Sequence, residues 1–175
     1  RPDMVKTQMD FMDTPDIIVI DTNLRQDTIE YIALNKGKSL LAVEAVSKQK
    51  VKKVISIINH IDLLKVNELE AISLLDFDEG KSGDHEELVK NIVDMGVKEV
   101  HLTAGSEGMI VGSKEGVQHF EVEKIENVIS VNQVGDTYFA GIVYQTLYNE
   151  SIQEKVSFGS NLAKKKLLGD EINVG

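Results

Sequence analysis

The chain has 175 residues, 42% of them apolar, which is enough for one well-packed domain and too few for two ordinary ones. Its 19 basic and 29 acidic residues leave a net charge of −10, which argues against nucleic acid or a membrane surface as the main partner. It contains no cysteine, so disulfide frameworks and thiolate metal sites are excluded, and a reducing compartment, the cytoplasm, is the expected location.

No apolar run approaches membrane-spanning length. Scattered apolar positions from Met4 to Met12 predict a short amphipathic helix ending near Pro15. The β-branched run Ile17-Ile18-Val19-Ile20 then reads as a strand buried on both faces, closed by Asp21. A helix over 26–35 stops at Gly37, Leu40 to Val43 forms a second buried strand, 51–59 is helical, and 61–66 is a third strand. A helix follows from Asn67 to about Leu75, then a polar loop to Asp84, then a helix from His85 to Met95 stopped by Gly96. Three short strands (97–103, 109–111 and 117–122) with glycine-containing turns predict a meander, and two long helices (135–148 and 153–168) close the chain. Strands alternating with helices of these lengths imply right-handed crossovers and an α/β unit built on a mostly parallel sheet.

Gly135-Asp136 stands where the helix carrying Phe139, Ile142, Val143 and Leu147 on one face should begin. A helix N-terminus offers unpaired amides and partial positive charge to a phosphate. A carboxylate there can take a proton from a hydroxyl while the amides hold a phosphoryl group, although an acidic first-turn residue also has a purely structural use. Asn67 and Glu70 follow a strand at i and i+3, above the carboxyl edge where open α/β sheets bind ligands, and their oxygens suit a hydrated Mg²⁺. The same spacing is also that of a capping box. Thr103-Ala104-Gly105-Ser106-Glu107-Gly108 joins two strands, either as a plain turn or as a loop whose amides and hydroxyl approach phosphates. Gly80-Lys81-Ser82 copies the end of a P-loop but has Leu75 where the earlier glycine belongs, and Lys81 sits where a calcium loop needs glycine. His60, His85, His101 and His119 show no ligand spacing.

Asn132-Gln133-Val134-Gly135-Asp136-Thr137-Tyr138-Phe139-Ala140-Gly141 resembles the Asn-Gly-Ala-Gly-Asp-Thr-Phe-x-Ala-Gly signature of the ribokinase-like carbohydrate kinases, the phosphofructokinase-B family. Asn67-x-x-Glu70-Ala71 and Thr103-x-Gly105-x-x-Gly108 resemble that family's two upstream motifs, in the same order. Within the family, Asp21-Thr22-Asn23-Leu24, the segment from Ala42 to Ser47 with Lys50, and Leu64-Lys65-Val66-Asn67 look most like pseudouridine kinases. The resemblance implies a three-layer ribokinase-like fold, with helices on both faces of the sheet and a small C-terminal meander. It also implies that residues 1–175 are the C-terminal, nucleotide-binding part of such a kinase, with the lid missing, and that a homodimer forms only where that lid is present.

The activity so implied is ATP-dependent phosphorylation of a hydroxyl on a small sugar or nucleoside, pseudouridine-like, with Mg²⁺ as cofactor. Asp136 would be the base and Gly135 part of the anion hole. Asn67 and Glu70 would act on the Mg²⁺–phosphate assembly, mostly through water. Thr103 and Gly105 would contact ATP, and Asn161 would lie where a helix packs against the adenine. Gln133-Val134 replaces the family's Gly-Ala, and a side chain at Gln133 is expected to resist positive φ and close backbone approach. That departure supports a second reading, a kinase-fold binding or structural domain without turnover. A hydride-transferring nucleotide-binding domain is disfavoured, because no Gly-x-Gly-x-x-Gly follows any strand.

Overall fold

Six strands form one sheet in the order β1-β2-β3-β4-β5-β6, in a computed structural model that describes residues 2–11, 15–77 and 84–170. The strands are β1 (Ile17–Asp21), β2 (Leu40–Glu44), β3 (Leu63–Asn67), β4 (Glu99–Thr103), β5 (Met109–Ser113) and β6 (Gly116–Phe120). The first four run parallel, in registers that include Asp21 with Glu44, Glu44 with Lys65, and Asn67 with Thr103. Their last residues therefore share one carboxyl edge. The strands β4, β5 and β6 are consecutive neighbours, as the predicted meander requires.

The described chain divides into two compact units, residues 1–104 with 110–119 and residues 105–109 with 120–175. The first unit holds the main core. Strand residues Leu41, Val43, Leu64, Val66, Val100 and Leu102 pack there with apolar faces of α2 (Gln26–Asn35), α3 (Glu68–Leu74) and α4 (His85–Asp94). Strand β1 departs from expectation. It is the edge strand, and Val19 is 50% exposed rather than covered on both sides. The N-terminal helix α1 (Pro2–Phe11) is present as predicted.

The helix predicted over 51–59 is a 3₁₀ helix, Val51–His60. Its buried residues are Val51, Val54, Ile57 and Ile58, a spacing that suits either helical period. The loop with Gly80-Lys81-Ser82 lies outside the described residues.

At the amino ends of the strands, Asp62 ties three segments together. Its carboxylate accepts from Lys36 Nζ at 2.6 Å and from the Leu41 amide at 2.8 Å, and pairs with Lys98 Nζ at 2.5 Å. Burial alone would push this carboxyl up. The two lysines and the amide outweigh it and hold it below the usual carboxylate range.

The second unit is organised by two helices, α5 (Val134–Leu147) and α6 (Ile152–Leu168). A Cβ built on Gly141 would stand 2.7 Å from Gly159 Cα, and one on Gly159 would stand 2.9 Å from the ring of buried Tyr138. Only glycines permit this approach. Ser151 and Glu154 form a capping box at the start of α6, a Ser-x-x-Glu signal that the sequence displays openly. No helix among the described residues is long and apolar enough to cross a membrane.

Candidate functional site

In the first unit, β3 and β4 deliver Asn67 and Thr103 to adjacent positions on the carboxyl edge, and α3 starts immediately after Asn67. Asn67 Oδ1 accepts the Glu70 amide at 2.9 Å, and Glu70 Oε2 accepts the Asn67 amide at 2.8 Å. The structural reading of this pair is thus realised as a complete capping box. Each side chain gives one oxygen to the cap and keeps further lone pairs. Glu70 is buried, and burial pushes its carboxyl above the ordinary value, opposed by the Asn67 hydrogen bonds and the charge of Lys65. Thr103 Oγ1 points back to the Val66 carbonyl at 3.4 Å, a contact at the long limit of a hydrogen bond.

Two features of this edge escaped the sequence reading. Lys65 Nζ pairs with Glu44 Oε1 at 3.0 Å, both side chains being largely buried. The hydrophobic run around Lys65 gives no hint of a buried charge. The Asp21-Thr22-Asn23-Leu24 segment is a turn bonded to its surroundings: Asp21 accepts the Asn23 amide at 2.7 Å, and buried Thr22 Oγ1 accepts the Val46 amide at 3.0 Å. Lys50 Nζ donates to Asn23 Oδ1 at 2.6 Å, a contact between two of the segments that carry the resemblance.

The second unit contains Gly105, Gly135, Asp136 and Asn161. Helix α5 begins with Gln133 as N-cap, so Val134, Gly135 and Asp136 form its first turn, and Asp136 is exposed. The expectation that Gln133 resists positive φ is corrected here. Gln133 has φ 61 and ψ 15, the left-handed conformation that a glycine would adopt freely. Its carbonyl accepts both the Thr137 amide at 2.9 Å and Thr137 Oγ1 at 2.8 Å. The helix closes its first turn at the cost of local strain.

Gly105 and Asn161 line one cavity of about 980 Å³, together with Val134 at the start of α5. Its floor is a stripe of α6, where Ser160, Ala163, Lys164 and Leu167 recur at helical spacing. Its opposite wall is the segment 121–131, including Val122, Ile125 and Val131, anchored by the Ile129 amide donating to the Leu167 carbonyl at 2.8 Å. Gly105 has φ 59 in a short 3₁₀ turn, and Gly108 has φ 96 with room for no Cβ, which would fall 2.1 Å from the Phe120 carbonyl oxygen. Ser160, in the Ser160-Asn161-Leu162-Ala163 segment that the resemblance sets against the adenine, has its Oγ buried with no hydrogen-bond partner. A cavity of this size with aliphatic walls and few inward polar groups is suited to a planar organic ring.

The family model for pfkB family carbohydrate kinases matches residues 10–168. The chain is 25% identical over 158 residues to pseudouridine kinase of Escherichia coli strain K12, covering 90% of this chain and 50% of that protein. Phosphofructokinase-2 from Escherichia coli, solved in complex with substrates and products, superimposes with TM-score 0.81 at 20% identity over 95% of this chain and 55% of its own. Adenosine kinase from Anopheles gambiae, in complex with P1,P4-di(adenosine-5) tetraphosphate, gives TM-score 0.75 at 18% identity over 87% of this chain and 50% of its own. These structures establish the ribokinase-like α/β fold. The chain spans about half the length of the relatives it matches.

Proposed function

Since the chain belongs to the pfkB family of carbohydrate kinases, we propose that it is the nucleotide-binding part of an ATP- and Mg²⁺-dependent kinase that phosphorylates a hydroxyl of a sugar or nucleoside, with a pseudouridine-like acceptor. The observation that carries the reading is the exposed Asp136 in the first turn of α5, a helix whose N-cap Gln133 has the left-handed backbone that glycine adopts freely.

In this reading Asp136 takes the proton from the acceptor hydroxyl as that oxygen attacks the γ-phosphorus in line, and ADP leaves. The amides of the first turn, Gly135 among them, donate to the charge that develops on the transferring group. Gly105 and Asn161 contact the nucleotide, whose base enters the cavity of the second unit. Thr103 supplies a hydroxyl on the phosphate side. Asn67 and Glu70 fit Mg²⁺ through its water shell rather than directly, because each already commits an oxygen to the capping box. The ion would neutralise phosphate charge. The kinase acts in the cytoplasm and needs no nucleic acid or membrane partner.

An assay of ADP release with pseudouridine and ribose as acceptors tests the proposal. Turnover with either acceptor that disappears in Asp136→Asn, while nucleotide binding persists, is the expected result. Turnover that survives the substitution would remove Asp136 from the mechanism and the reading with it.

A further inference from the structure

Strand β1 is an edge of the sheet, and its outer side has no strand partner among the described residues. On its inner side the Leu40 amide donates to the Asp16 carbonyl at 2.9 Å, and the Thr22 amide donates to the Glu44 carbonyl at 3.2 Å. Successive residues of a strand turn their amides and carbonyls to opposite sides. The even-numbered residues of β1 therefore bond to β2, and the amides and carbonyls of Ile17, Val19 and Asp21 point away from it.

Sheet edges are ordinarily blunted by lysine, by proline, by a bulge or by polar side chains. Strand β1 has neither lysine nor proline, and its register with β2 runs unbroken from Ile17 with Leu40 to Asp21 with Glu44, which leaves no bulge. The opposite edge, β6, is blunted in the ordinary way, with Gly116 at its start and exposed Gln118 and His119 within it. Val19, by contrast, is 50% exposed in the middle of an apolar run. A strand of this kind is a template for another strand.

The sequence of β1 says which strand fits. Val19 is its midpoint. Laid antiparallel against itself about that residue, Val19 meets Val19 of the second copy, Ile18 meets Ile20, and Ile17 meets Asp21. Asp16 falls opposite Thr22, so no two carboxylates face each other across the ladder, where like charges are unfavourable. The pairs formed by Ile17, Val19 and Asp21 are those that exchange hydrogen bonds, so every outward amide and carbonyl of both strands finds a partner. Ile20 belongs to the main core and Ile18 packs against it, and the pairing carries that apolar face across the junction.

We infer that β1 is a self-association surface, through which two copies of this chain pair antiparallel about a two-fold axis at Val19 and join their sheets. The contact is isologous and closes at two copies. It needs no lid. Because the paired strands run oppositely, the two carboxyl edges bearing Asn67 and Thr103 face opposite ways, and each copy keeps its own candidate site.

Sedimentation velocity of the 175-residue chain tests this between about 1 and 200 µM, at about 0.15 M salt to screen the −10 charge of each copy. A dimer of twice 19.4 kDa is expected, with a dissociation constant of about 1–100 µM because a five-residue strand makes a small interface. Val19→Lys and Val19→Glu each set like charges against each other at the axis, and each alone is expected to weaken association by about tenfold or more. An equimolar mixture of the two is expected to dimerise again, since the introduced charges are then opposite. Both should keep the circular dichroism of wild type, because the position is half exposed. Val19→Pro removes an outward amide that β2 does not use, which edge strands tolerate, and it reads the same contact should a charged variant fail to fold. Wild type that stays monomeric throughout the range overturns the inference and leaves the edge to a strand of another protein. A dimer that survives Val19→Lys or Val19→Pro overturns it too, by placing the contact elsewhere. So does a dimer lost in both charged variants and not restored on mixing, since the axis would then not pass through Val19.

Discussion

Replacing Gln133 with glycine removes a Cβ from a backbone held at φ 61. A left-handed conformation costs an ordinary L-residue roughly 1–2 kcal/mol, and glycine escapes that cost. Glycine also loses more freedom on folding, which takes back about 0.5–1 kcal/mol. The balance is a stabilisation of about 0.5–1 kcal/mol, or a melting temperature higher by roughly 1–4 °C for a chain of this length. Scanning calorimetry of Gln133→Gly beside Gln133→Ala isolates the cause, since alanine keeps the Cβ and should melt within about a degree of wild type. In turnover the gain should stay well short of the two to three orders of magnitude that an oxyanion donor is worth, because the backbone already has the glycine-like geometry. A lower melting temperature for Gln133→Gly, or an equal rise for Gln133→Ala, would refute the strain argument. A thousandfold rise in rate would show that the amides are badly placed in the native chain.

Gly159→Ala drives a Cβ to 2.9 Å from the Tyr138 ring, and overpacking of this kind should cost about 1–3 kcal/mol, read as a fall in melting temperature of the second unit's transition. Asn67→Ala should lower stability by about 1 kcal/mol in the absence of any nucleotide or metal, because the Glu70 amide loses its cap, and denaturant titration of the ligand-free chain measures it. The Asp62 carboxyl is pushed up by burial but pulled further down by Lys36, Lys98 and the Leu41 amide, so its folded value lies below the unfolded one. Its stabilising contribution is therefore complete above the unfolded value of about 3.9 and disappears as pH falls through the folded value. Acid unfolding of wild type should show that loss, and Asp62→Asn should be less stable at neutral pH with a flatter acid limb.

The parallel sheet and its helices were legible because each strand is a short run of β-branched or aliphatic residues and each helix repeats its apolar face. The carboxyl-edge placement of Asn67 and Thr103 followed from strand ends alone, and the register confirms their adjacency. What escaped the sequence depends on partners distant along the chain. Val19 reads as a doubly buried strand residue, yet half its surface is exposed because no described strand lies beyond β1. The Lys65–Glu44 pair joins residues on neighbouring strands, which no local pattern encodes. The left-handed conformation of Gln133 runs against the preference of its side chain, and no local pattern in the sequence encodes it. The 3₁₀ form of 51–60 has no signal of its own, because buried Val51, Val54, Ile57 and Ile58 suit either helical period.

The residues that make this family's signatures conspicuous also keep the chain folded. Asn67 and Glu70 close a helix cap, Gly108 yields to a passing carbonyl, and Gly141 lets two helices touch. Selection for solubility and abundance would thus preserve these letters in a descendant that had given up catalysis altogether. Among such sequences, Asp136 is the informative position: exposed, first in its helix turn to meet solvent, and without a hydrogen-bonded duty in the scaffold comparable to theirs, it is where drift should register the loss of turnover first.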